Sequence, residues 1–236
     1  MTVAVGIGCA VLGAAVGPFL AGLTVRVPAG DPVRTGGAWR GEPATTARIA
    51  LVTALAAVVL GAIGATIGAE PELLAFLWLG LVAVPLAVID VESLRLPDRL
   101  TLPGFVVGLA LLVGAARAGS DWRALERAVL AAVVVGGVAF LFALLVGGGS
   151  GLGLGDVKLL ALLGLFLGWL GWGHVVLGVA LGFGIGAVAA VVLLGLRRAG
   201  LKDSIALGQW LIAGAVVAVV AGRPLLDGYL GAGVGG

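Results

Sequence analysis

The stretch LLAFLWLGLVAVPLAVID, residues 73–90, decides the fold. From Leu73 to Ile89 it carries no charge, and then it meets Asp90. A helix needs about 20 apolar residues to cross the hydrocarbon core of a bilayer, and this run comes close. Similar runs recur on both sides. With it they make eight candidates: Val3–Val25, Ala47–Gly68, Leu73–Ile89, Gly104–Ala118, Leu125–Val146, Val157–Trp172, Val175–Leu196 and Ile205–Ala221. The fourth and sixth are short. The expected fold is all-α, a polytopic membrane protein with about eight transmembrane helices. One membrane domain is expected over 1–236, with a short irregular loop at 26–46 and a flexible outer tail at 222–236. The first run has no basic residues before it, and its length exceeds a signal-peptide core, so it reads as a retained helix.

Composition agrees. Of 236 residues, 61% are apolar and 11% charged, and the mean hydropathy is +1.23. Soluble domains average roughly 25% charged residues, so the partner this chain is built for is the lipid bilayer. A net charge of +2 gives no footing for nucleic acid. The single cysteine, Cys9, and the single histidine, His174, exclude an internal disulfide, a thiolate zinc cluster and a metal site with several imidazoles. Small residues at four-residue spacing (Gly13, Gly17, Ala21; Gly178, Gly182, Gly186) are read as helix-packing stripes.

Basic residues set the orientation. With the first loop in the cytoplasm, that side holds Arg26, Arg34, Arg40, Arg48, Arg95, Arg99, Lys158, Arg197, Arg198 and Lys202. The other side holds Arg117, Arg123, Arg127 and Arg223. Both termini are then expected outside.

Of the twelve acids, seven read as solvated loop charges. The other five, Asp90, Glu92, Asp98, Asp156 and Asp203, fall on the cytoplasmic side. Asp90 closes one apolar run and Asp156 opens another. An acid at membrane depth is costly and calls for a reason. Asp156 has a plain alternative as a helix N-terminal carboxylate. For Asp90 the plain alternative is a helix that has reached water, although a helix C-terminus disfavours an anion. As a pair they suit acid–base chemistry: neighbouring carboxylates share one proton, so one activates water while the other polarises a carbonyl. Gly151, Gly153 and Gly155 permit close approach of a substrate backbone, or else form an ordinary connector. A transporter using Asp90 and Asp156 for protons or cations is the alternative, though carriers place such acids nearer the midplane.

At these residues the chain resembles the type IV prepilin peptidases, a family of intramembrane aspartic proteases. One signature reads Asp90-Val91-Glu92-Ser93-Leu94-Arg95-Leu96-Pro97-Asp98, and the other Gly153-Leu154-Gly155-Asp156-Val157-Lys158. Gly17-Pro18-Phe19-Leu20 and Arg26-Val27-Pro28 resemble the family's first-helix pattern, with Pro18 in place of the usual Ser. The resemblance implies Asp90 and Asp156 as catalytic pair, with Gly153, Gly155 and Asp98 on the substrate side. The competing role for Asp98 is a cap on the following helix. It implies a bacterial cytoplasmic membrane, a site facing the cytoplasm, and prepilins, pseudopilins or small Flp-like pilins as substrates. Many members carry two Cys-x-x-Cys pairs in the first loop and N-methylate the new amino terminus. This loop has no cysteine, so no metal, no cofactor and peptidase activity alone are expected.

Overall fold

The computed structural model describes residues 2–32, 37–146, 152–195 and 206–234. Gly147–Gly149, Ser150 and Gly151 lie outside the described residues, as do Arg34, Arg197, Arg198, Lys202 and Asp203. The described chain is helical: α1 (Thr2–Ala29), α2 (Thr46–Ile67), α3 (Leu73–Ser93), α4 (Asp98–Gly119), α5 (Trp122–Val146), α6 (Leu154–Leu170), α7 (Trp172–Gly195) and α8 (Gly208–Val234). Seven are long and apolar enough to cross a membrane. The eighth, α6, has 17 residues, or about 26 Å at roughly 1.5 Å per residue. The chain is a multi-pass membrane protein. It divides into two compact units, 1–122 and 123–236.

The first unit holds α1–α4. Without a hydrophobic drive between helices in lipid, close backbone packing holds them. Gly13 lies against the Ala56 backbone and Gly17 against Thr53, so a methyl group at either glycine would collide with α2. Leu20, Ala21, Leu23 and Val27 of α1 continue the contact, forming a buried cluster with Val52 and Ala56 of α2 and Val84 and Ile89 of α3. The Trp78 indole of α3 donates to the Gly104 carbonyl of α4 at 3.1 Å.

Described residues after α1 take a defined turn. Arg26, read as a loop charge, belongs to α1 and is 2% exposed. Its Nε donates to the Glu42 carbonyl at 2.9 Å, and Nη2 donates to Ala38 O at 3.4 Å. Gly22 leaves the space the guanidinium fills. A 3-10 turn at Ala38–Arg40 is thereby fastened to α1. Sequence patterning missed this because the clamp joins residues far apart in the chain.

The second unit holds α5–α8. Gly164 and Gly168 of α6 bring that helix against the backbone of Ala131, Ala132 and Ala128 in α5. Arg127 donates its Nε to the Gly168 carbonyl at 2.7 Å, serving one of the orphan acceptors at the end of α6. Gly178 and Gly182 of α7 receive Ala215 and Leu211 of α8.

Three boundaries moved. Helix α4 starts at Asp98, not Gly104, taking in Pro103. The lost proline N–H removes a single helical bond near the helix start, which neighbouring groups can offset. Helix α8 runs through Pro224 to Val234, absorbing most of the expected tail. His174, which falls between the sixth and seventh expected spans, lies in the first turn of α7, 7% exposed, and its ring packs on Gly222.

Candidate active site

Asp90 sits in the last turn of α3, which continues to Ser93 before Leu94 turns left-handed at φ 51°. It is 3% exposed, so the helix has not simply run into water. Its neighbour Ile89 belongs to the α1–α2–α3 core, and that packing holds this turn of α3 in place. The Leu94 N–H closes the turn on the Asp90 carbonyl at 3.0 Å. The Ser93 hydroxyl donates to Ile89 O at 2.8 Å, satisfying another terminal carbonyl.

Next to this turn lies a feature that patterning did not find. Arg48 of α2 pairs with Glu92 at 2.6 Å, and Arg48 also donates to the Thr24 hydroxyl at 3.3 Å. These groups edge a cavity of about 380 Å³ whose walls include Pro28, Thr45, Ile89 and Ser93. Glu92, two residues past Asp90, was the available signal, but its partner lies 44 positions away in sequence.

Asp98 stands at the very start of α4, where the competing role for it was a cap. Pro97 occupies the N-cap of α4 and Asp98 is the first helical residue, with an acid in the first turn. Its carboxylate is exposed. It favours the helix dipole, while the Thr101 hydroxyl donates to the Pro97 carbonyl at 3.2 Å.

In the second unit Gly153 is the N-cap of α6, extended at φ −68° and ψ 149°. Val157 N–H bonds to its carbonyl at 3.2 Å. Asp156, half-buried, is therefore the third residue of the helix. Its carboxylate folds back towards the helix start: a Cβ placed on Gly153 would lie 3.4 Å from Oδ2. The structure brings Gly153 and the Asp156 carboxylate together, with Gly155 between them in the first turn. Asp90 belongs to the first unit and Asp156 to the second.

Comparison with known proteins follows this geometry. The type IV leader peptidase family matches residues 73–196, a span holding both Asp90 and Asp156. A prepilin leader peptidase/N-methyltransferase of Aeromonas hydrophila is 34% identical over 187 residues, covering 78% of this chain and 62% of that protein. Its namesake in Pseudomonas putida is 36% identical over 159 residues, covering 66% and 52%. That of Pectobacterium carotovorum subsp. carotovorum is 33% identical over 177 residues, covering 73% and 58%. The chain thus spans less than two thirds of the length of these relatives. No solved structure matches it.

The helices define a multi-pass membrane protein, and the two acids at helix ends are its candidate site. The chain belongs to the type IV leader peptidase family.

Proposed function

We propose that this protein is an aspartic endopeptidase that removes the leader from prepilins, pseudopilins or small Flp-like pilins at the cytoplasmic face of a bacterial membrane. The observation that carries the reading is the burial of Asp90 in the last turn of an apolar helix, inside the span that matches the family. A carboxylate 3% exposed in a chain this poor in charge calls for a function. Asp156, at the glycine-flanked start of α6, is the second carboxylate.

In this mechanism the two acids hold one proton between them. The ionised member takes a proton from water, and the water oxygen attacks the scissile carbonyl carbon. The protonated member donates to the carbonyl oxygen as it gains charge. Collapse of the tetrahedral species breaks the C–N bond, and a proton passes to the departing amine. Water is the nucleophile and no cofactor takes part. Gly153 and Gly155 leave room for a substrate backbone beside Asp156.

The test is cleavage of a co-expressed prepilin, read by mobility shift and by mass of the mature amino terminus. Asp90→Asn and Asp156→Asn should each lower cleavage by about 10²–10⁴-fold, the usual contribution of an acid–base group. The double variant should be scarcely worse, since such residues act as one unit. Normal processing by either single variant sinks the assignment. Loss of solute uptake with processing intact would favour a proton- or cation-coupled transporter instead. The mature amino terminus should carry no added methyl group; a methylated product from this enzyme alone would refute peptidase-only activity.

A further inference from the structure

We propose that the 3-10 turn at Ala38–Arg40 lies in the bilayer surface, with the Trp39 ring at the boundary of acyl chains and headgroups and Arg40 at the lipid phosphates. The inference is independent of the peptidase reading and of which way the protein faces across the membrane.

The length of α1 sets the depth. This helix is long and apolar enough to cross. Its first N–H groups have no acceptor within the helix and would find none in hydrocarbon, so α1 begins at or outside the hydrocarbon edge. Phe19 then falls about 26 Å along a helix that starts at Thr2, at roughly 1.5 Å per residue. The hydrocarbon is about 30 Å thick, so Phe19 lies inside it. Tilt, or a start further out, places Phe19 deeper still. Arg26 falls about 36 Å along the helix, at headgroup level.

The turn follows Arg26 in the chain but comes back along α1 to Phe19. Trp39 stacks on Phe19 with ring centroids 4.9 Å apart and planes at 28°. Gly41 rests on the Pro18 carbonyl, which a Cβ there would approach to 2.8 Å. Arg26 holds the carbonyls of Glu42 and Ala38 from the headgroup side. Trp39 is nevertheless 69% exposed, and at the depth of Phe19 the surroundings it is exposed to are lipid. Tryptophan suits that boundary, with an apolar body and one N–H for polar groups. Arg40 is exposed beside it, and its long stem carries the guanidinium out to phosphate level. The acid of the turn, Glu42, folds over Gly37, so the turn offers one charge of each sign to a zwitterionic headgroup.

The backbone of the turn is bonded as that depth requires. Water is scarce there, so polar backbone groups need partners within the protein. The Arg40 and Glu42 N–H groups donate to the Gly37 carbonyl at 3.0 and 3.2 Å, Gly41 N–H to Ala38 O at 3.2 Å, and Ala44 N–H to Gly41 O at 2.7 Å. With the two Arg26 bonds, the carbonyls of Gly37, Ala38, Gly41 and Glu42 are all engaged.

Depth is measured in phosphatidylethanolamine–phosphatidylglycerol vesicles. In a Cys9→Ala background, a nitroxide on Trp39→Cys should relax with oxygen, which partitions into lipid, far more than with a water-soluble nickel chelate. The same label on Asp31→Cys, past the end of α1, should show the reverse preference. A label at position 39 that nickel reaches as readily as at 31 overturns the proposal, and so does one that neither reagent reaches, which would mean protein covers it. A second measurement keeps the native ring. The fluorescence of the parent less that of Trp39→Phe should be quenched by lipid brominated near the headgroup and little by iodide in the water. Quenching by iodide alone overturns the proposal even if Trp39→Cys distorts the turn. Arg40→Glu turns attraction to phosphate into repulsion and should shift the label at 39 towards nickel; an unchanged label overturns the part assigned to Arg40.

Discussion

At the scale of single residues, the acids differ in what surrounds them. Asp98 is exposed in the first turn of α4. An exposed acid there adds about 0.3–1 kcal/mol through the helix dipole. Asp98→Asn should therefore keep cleavage within about twofold, and a thermal melt in detergent should show a loss inside that range. Abolished cleavage with an unchanged melt would instead put Asp98 in the site. Arg26 sits at the opposite extreme, buried and donating to the carbonyls of Glu42 and Ala38. Replacing it with Leu would leave those acceptors without their donor, at about 1–3 kcal/mol each where they are buried. Limited proteolysis should then cut near residues 37–42 in Arg26→Leu and spare the parent. Equal resistance would show that the clamp is dispensable. The Arg48–Glu92 pair is partly exposed, with side chains 26% and 46% accessible. Pairs of that kind contribute about 0–1 kcal/mol, so its interest lies in shaping the cavity beside Asp90 more than in stability.

At the scale of elements, glycines separate into those that bring helices together and those that do not. A Cβ on Gly214 of α8 would come within 2.3 Å of the Gly182 backbone nitrogen and 2.6 Å of the Gly178 carbonyl in α7. Neither backbone atom can rotate away. Gly184, on α7, has nothing within 4 Å. Gly214→Ala should push the two helices apart and lower the melting temperature by several degrees, since overpacking costs typically 1–3 kcal/mol. Gly184→Ala should be neutral or stabilising by roughly 0.5–1 kcal/mol, because alanine loses less backbone freedom in a helix. Equal effects from the two substitutions would refute the α7–α8 contact. The packing roles of Gly13, Gly17, Gly178 and Gly182 were legible as four-residue spacing. The starts of α4 and α6 were less so: Pro103 looks like a helix breaker, and Gly153 like one more loop glycine, until the backbone shows which carbonyls bond.

At the scale of the whole molecule, the peptidase reading needs both acids at the cytoplasmic side. In a Cys9→Ala background, a membrane-impermeant thiol reagent applied to intact cells should label Glu70→Cys and spare Asp31→Cys, as the distribution of basic residues requires. Labelling of Asp31→Cys would invert the protein and sink the cytoplasmic site. The sequence alone determined that the chain is a helical multi-pass membrane protein of this family, and it singled out Asp90 and Asp156. Those conclusions depend on composition, run length and the order of short motifs, all of which are local. Tertiary structure alone decided that Asp90 is buried, that Arg26 is a clamp and not a loop charge, and that Glu92 meets Arg48. It also decided that residues of α5, α6 and α7 line an apolar cleft. Each of these depends on which distant residues come within a few ångströms, and burial, pairing and open volume are properties of that approach, with no periodic trace in the chain.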